Sequence, residues 1–248
     1  FQFMIDSADQ GFLERGVLSC YAPVAADTPL TEDPVHFSQH DWLALAVEAH
    51  RNKGNAFRRY ADTYLRTCGQ VYWSDAQLSG PYLDGYHEHV DRVLGCKVQG
   101  SEMITELYVP RIRFESFMED ARRVLRHRGA DVIYGTVRLI ERDDDTLLAW
   151  AKEPYACVVL NLHIDHTDDA IAAAAETFRQ LIDVAISHEG SYYLAYHRWA
   201  RRDQVERCHP MMRALLAAKL RYDPRELFQS DWYRWYKSLL GLRPGEHS

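Results

Sequence analysis

The sequence predicts an α+β fold, and three observations carry that prediction. Apolar spacing changes from helical to alternating near residue 100, the segments that follow run strand, helix, strand, strand, helix, strand, and the strands split by parity into an oily face and a polar one.

The first residues, FQFMID, alternate like a strand and lack an initiating Met, which predicts a fragment with something before it. A Pro- and Asp-rich loop lies between Pro23 and Pro34. Residues 38–66 then carry Trp42, Leu45, Phe57, Tyr60 and Tyr64 at helical spacing, with Ser38 as N-cap and a break at Lys53-Gly54. A further helix is expected from Tyr82 to Gly95. Residues 1–99 therefore read as a mostly helical insertion or cap.

Strand SEMITELYV, helix FESFMEDARRVLRH, strands VIYGTVRLIE and ACVVLNLHI, helix DDAIAAAAETFRQLIDVAISH and strand SYYLAYH follow. Asp168 and Asp169 suit a helix start, and Gly129 and Gly190 sit just past helix ends. This βαββαβ order is that of the ferredoxin-like arrangement, an antiparallel sheet with both helices on one face and the other face open. Residues 100–248 are expected to form that domain, closing with a helical tail broken at Pro210.

Composition narrows the function classes. At 47% hydrophobic and 26% charged residues, with a net charge of −7, the chain reads as globular and offers no broad basic surface for nucleic acid. No stretch is long and apolar enough to span a bilayer. Five scattered cysteines without a CxxC pair indicate neither a disulfide framework nor a zinc ribbon and suit a reducing cytoplasm.

Parity assigns the polar face. Tyr134, Thr136 and Arg138 oppose Ile133, Gly135 and Val137; Cys157, Val159, Asn161, His163 and Asp165 oppose Val158, Leu160, Leu162 and Ile164. Glu102, Glu106 and Tyr108 share one side of the first strand, and Tyr193 and His197 one side of the last. A merely solvated face favours Lys, Glu, Thr and Ser. Tyr, Asn, His and a single Arg with no strand lysine instead match a pocket with convergent polar groups.

On the segments TELYVPR (105–111), YGTVRLIE (134–141), VVLNLHID (158–165), SYYLAYHRWA (191–200) and KLRYDPRELFQSDW (219–232), the chain resembles the C-terminal substrate domain of the FAD-linked oxidases of the vanillyl-alcohol oxidase and p-cresol methylhydroxylase type. The K-x-x-x-D-P-x-x-x-F ending is the most specific of them. The resemblance implies a sheet face that covers a flavin ring, with the FAD held by a separate preceding domain, and hydride transfer from an alcohol or hydroxy acid to that flavin. No glycine-rich pyrophosphate loop occurs in residues 1–99, so this chain alone is not expected to bind FAD. Alditol-type members have an acid-x-Arg pair on the second strand; Arg138 matches the arginine, and Thr136 stands in place of the acid.

The roles that follow are His163 or His197 as proton acceptor, Arg138 as anchor for a carboxylate or oxyanion, and Glu106 as supporting acid. Tyr108, Tyr134, Thr136, Asn161, Tyr193 and Tyr196 contact the small-molecule substrate. Three rivals remain. H-x-D-H at 163–166 and H-x-H at 87–89 raise metal-dependent hydrolysis or oxygenation, although His166 falls on the opposite face from His163. Cys208 beside His209 reads as a buried thiol. A non-catalytic ligand-binding module is the third. The aromatic tail, Trp232 to Tyr236, reads as packing, or as a contact with the missing domain or with a second subunit in a homodimer.

Overall fold

A computed structural model describes residues 2–75 and 83–242, with side chains from residue 5 onward. Phe1 and Tyr82, where two of the expected segments begin, lie outside them. Six strands form among the described residues: β1 Gln2–Ile5, β2 Gly16–Ser19, β3 Gly100–Pro110, β4 Val132–Ile140, β5 Tyr155–Asp165 and β6 Ser191–Tyr192. Eight α-helices accompany them: α1 Gln39–Arg51, α2 Lys53–Leu65, α3 Tyr86–Leu94, α4 Phe114–Arg128, α5 Asp168–Ser187, α6 Arg202–Cys208, α7 Met212–Tyr222 and α8 Asp231–Leu239.

The α+β class holds, and β3-α4-β4-β5-α5-β6 keeps the expected order. The strands are hydrogen-bonded in the order β2-β1-β4-β5-β3-β6, with β1 antiparallel to both β2 and β4 and β3 antiparallel to β6. The sheet is thus larger than the four strands expected. The short GVLS segment of β2 pairs with β1, and β1 continues the sheet beyond β4 through Phe3–Val137 and Ile5–Gly135. The last strand is shorter than expected. β6 ends after Tyr192, although Tyr193 N still donates to Glu106 O at 2.9 Å, so alternation no longer places Tyr196 and His197.

Two compact units divide the chain. The first joins Phe1–Met103 with Asp131–Arg138 and Leu160–Ile171, and the second joins Ile104–Ala130 with Leu139–Val159 and Ala172–Ser248. In the first, Val17, Leu45, Ala49, Ala56, Tyr60 and Ile133 form a core flanked by Phe37, Trp42 and Tyr64. Ser38 caps α1 through a reciprocal box with Asp41. The break between α1 and α2 falls at Asn52, one residue before Lys53-Gly54, because the Asn52 side chain accepts from Asn55 N and starts the second helix itself.

In the second unit, Phe117, Ala121 and Leu125 of α4 and Phe178, Leu181, Ile182 and Ala185 of α5 are buried, the stripes that helical spacing requires. Gly129 ends α4 with a φ of 60°, as expected. Gly190 has a different reason. After α5 the left-handed residue is Glu189, with a φ of 64°, and a Cβ on Gly190 would lie 2.1 Å from the Tyr108 carbonyl oxygen and 2.8 Å from that of Ala185. Both obstacles are backbone and cannot swing away. Gly190→Ala is expected to destabilise by about 3 kcal/mol, the upper end for overpacking. A urea midpoint within error of the parent chain would contradict this.

Candidate functional site

The first unit gathers its chemistry around Glu102, near the start of β3. Its side chain is 4% exposed, and four groups stand against its two oxygens. His50 Nε2, from the last turn of α1, lies 2.8 Å from Oε1, and His163 Nδ1, near the end of β5, lies 3.3 Å from the same oxygen. Tyr86 O–H donates to Oε2 at 2.5 Å, and His87 Nδ1 stands 2.8 Å from that oxygen, both at the start of α3. The His50 and His163 rings meet edge to face at 5.0 Å.

Each ring is held from behind. His50 Nδ1 lies 2.8 Å from Ala46 O; a carbonyl only accepts, so Nδ1 carries the proton and Nε2 is the atom turned to Glu102. His163 Nε2 lies 3.6 Å from Asp165 Oδ1. Gly100 makes room for this ring, because a Cβ there would lie 2.3 Å from His163 Cε1 and 2.5 Å from Nε2.

Burial pushes the Glu102 carboxyl up, but the hydrogen bonds of His163, His50 and Tyr86 and the charge of His87 outweigh it and hold the group well below the usual carboxylate range. The same hydrogen bond to Glu102 raises His163 against the opposing effect of burial. Tyr86 is raised by burial and by its bond to Glu102. The cluster therefore concentrates one carboxylate charge under three imidazoles.

Beside it on the sheet stand two orphaned polar atoms. Thr136 Oγ1 and Asn161 Nδ2, on side chains of residues only 3% exposed, have no hydrogen-bond partner. Leaving such a donor dry costs about 1–3 kcal/mol, so it usually marks a missing partner. Tyr134 and Arg138 flank Thr136 on β4 and are exposed. Burial raises the Tyr134 phenol, while the nearby Asn161 amide and the Arg138 charge draw it back and Glu102 pushes it up; the amide approaches the phenol without reaching hydrogen-bond geometry.

The second unit holds a separate acid. Tyr108 O–H and Cys157 S–H donate to Glu106 Oε1 at 2.7 and 3.1 Å, and Tyr196 O–H donates to Oε2 at 3.2 Å. Tyr108 is fully buried with Ala151, Tyr155, Cys157 and Val159, and Trp150 closes on its ring edge to face at 5.0 Å. This corrects the expectation that Tyr108 lines an open face: the segment between β4 and β5 supplies its own cover. Tyr193 and Tyr196 are part-exposed and meet edge to face at 4.9 Å.

His197 is also corrected. It lies 7% exposed against Phe178 and Trp199, with ring centroids at 4.7 and 5.1 Å, and burial lowers it to about 4. Phe178 and Trp199 also meet each other at 5.2 Å, so the imidazole is one member of a buried three-ring cluster, a core element. Of the expected residues, Arg138, Tyr134, Thr136, Asn161 and His163 thus belong to the first unit, and Glu106, Tyr108, Tyr193, Tyr196 and His197 to the second. Sequence reasoning put Glu102 on the polar face but gave the supporting role to Glu106. It missed His50 and Tyr86, which come from helices distant in the chain.

Cys20, Cys68 and Cys96 are exposed and Cys157 and Cys208 buried, none of them in a disulfide. Among the described residues no helix is long and apolar enough to cross a membrane. Comparison with protein-family models finds no match, and no curated protein matches the chain.

Proposed function

We propose that this chain is the substrate-binding part of an FAD-dependent oxidoreductase acting on an alcohol or hydroxy acid, with the flavin held by a domain outside these residues. The observation that carries the reading is the pair of buried, unpartnered atoms, Thr136 Oγ1 and Asn161 Nδ2, beside a histidine fixed by a buried carboxylate. A sheet face that keeps dry donors without acceptors suits a bound oxygen-bearing molecule. The segments quoted above supply its chemical class.

A flavin bound against this face would accept the hydride of a two-electron oxidation. The chain's own residues do the rest. Asn161 N–H and Thr136 O–H receive substrate oxygens, and Arg138 holds a carboxylate or developing oxyanion. Glu102 takes the Nδ1 proton of His163 as a hydrogen bond, which leaves the Nε2 lone pair free to accept a hydroxyl proton; Asp165 then faces the resulting cation.

The gene product that includes this chain should carry FAD, and its visible flavin bands should bleach anaerobically with a substrate alcohol. In it, Thr136→Val with Asn161→Leu is expected to slow flavin reduction about 100-fold, roughly 3 kcal/mol of transition-state stabilisation. The same pair should leave the 248-residue chain as stable as before or about 1 kcal/mol more stable, since apolar groups replace unsatisfied ones. A gene product free of flavin, or a double variant that loses stability and keeps its rate, would sink the reading.

A further inference from the structure

We propose that His50, Glu102 and His163 form a binding site for a divalent transition metal of the zinc class. Each offers one ligand atom, and the three atoms lie within 4.8 Å of one another. Two of the edges, Glu102 Oε1 to His50 Nε2 and to His163 Nδ1, are 2.8 and 3.3 Å. Ligands on a tetrahedral zinc with bonds of about 2.0–2.1 Å stand about 3.4 Å apart, so an ion enters with small side-chain shifts.

The Nδ1 proton of His50 is committed to Ala46 O, so Nε2 of the neutral ring is a lone pair facing a carboxylate oxygen at 2.8 Å. Two acceptors at that distance require a cation between them. A second proton on the ring is one answer, and a metal ion coordinated by both is the other.

The outer groups suit the metal. A ligating imidazole normally donates its far N–H to a carbonyl or carboxylate, which fixes ring orientation and strengthens the ligand. Ala46 O does this for His50, and Asp165 stands in ion-pair range of His163 Nε2. Glu102, with its second oxygen bound by Tyr86 and close to His87, is oriented in the same way. Side-chain exposures of 6%, 4% and 18% for His50, Glu102 and His163 give an enclosed centre of which His163 is the most exposed member. Two imidazoles and one carboxylate are a donor set for zinc or for ferrous iron.

The site stands without the flavin reading and bears on it once. An ion on Nδ1 puts the His163 proton on Nε2, the atom that would accept the substrate proton, so bound metal opposes that role. Metal-stripped chain titrated with zinc chloride by calorimetry should take up one equivalent, and cobalt(II) should develop visible absorption as it binds. His50→Ala and His163→Ala should each weaken zinc at least 10-fold, with His36→Ala, on the surface, unchanged. Circular dichroism establishes that each variant is folded, and His50→Gln repeats the test with ring volume largely kept.

No zinc uptake by the folded parent chain, or uptake unaltered by His50→Ala, His50→Gln and His163→Ala, would overturn the site. The two proposals fail separately. Zinc bound by this chain while the gene product lacks FAD removes the flavin reading alone; flavin reduction without zinc uptake removes the metal site alone.

Discussion

Lowering the pH from 7 to 4.5 is expected to remove about 3–5 kcal/mol of folding stability, the summed effect of two buried histidines. Burial lowers His197 to about 4; burial, reinforced by the Lys152 charge, lowers His209 to about 3. A base whose folded value is depressed takes up its proton more readily when unfolded. Its stabilisation is complete above about pH 6.5 and falls away as the pH drops through the window down to the folded value. His209 Nε2 bonds only the Tyr192 carbonyl, and His197 is enclosed by Phe178 and Trp199, so neither has an anion to hold a charge. Glu102, with its depressed value, adds acid sensitivity only below the ordinary carboxylate range, while the raised His163 acts above pH 6.5. Urea melts followed by tryptophan fluorescence at pH 7, 5.5 and 4.5 measure the slope. His197→Phe keeps the aromatic stack and should halve it; an unmoved midpoint, or an unchanged slope in that variant, would refute the assignment.

The parts of the fold legible in the sequence were those whose periodicity is long and whose ends are chemically marked. β4 and β5 are long, nine and eleven residues, and rich in β-branched and aromatic residues, with polar residues alternating at Tyr134, Thr136 and Arg138 and at Asn161, His163 and Asp165. α4 and α5 pair apolar stripes with a glycine end or an acidic start. β2 escaped notice because four residues of GVLS hold too little alternation to stand out; its strand character comes from pairing with β1. SYYLAYH misled for the opposite reason. Its aromatics suit a strand, yet after Tyr192 they serve as packing, His197 against Phe178 and Tyr196 against Tyr193.

Parity located chemistry along a strand but could not choose between equivalent positions. Glu102 and Glu106 differ by four residues and share a side of β3, and only tertiary partners separate them: histidines for one, tyrosines and a thiol for the other. His50 gave no signal as a ligand, since a histidine in the last turn of a helix already has the local role of favouring the helix C-terminus. His87 did stand out in H-x-H. Residues two apart on a helix do not face one another, so His87 parts from His89 and stands instead beside Glu102.

Glu102→Ala is expected to destabilise the chain by about 3–5 kcal/mol, the penalty of removing one partner from a buried charged cluster. The carboxylate is the shared acceptor of Tyr86 and the near neighbour of His50, His87 and His163, and it is the acid that reaches His50. Glu102→Gln separates two origins of that loss. The amide keeps the volume, accepts from Tyr86, and can donate one N–H to the lone pair of a neutral His50 Nε2 and the other to His163 Nδ1 once that ring carries its proton on Nε2. It cannot balance an imidazolium, nor serve as an anionic metal ligand. If His50 is neutral in the metal-free chain, Gln should recover most of the stability lost in the alanine variant while zinc uptake falls at least 10-fold. If His50 is held as a cation, Gln should be nearly as destabilising as Ala. Urea unfolding of both variants in the presence of a chelator distinguishes these cases, and a Glu102→Ala chain within about 1 kcal/mol of the parent would dismiss Glu102 as the hub of the unit.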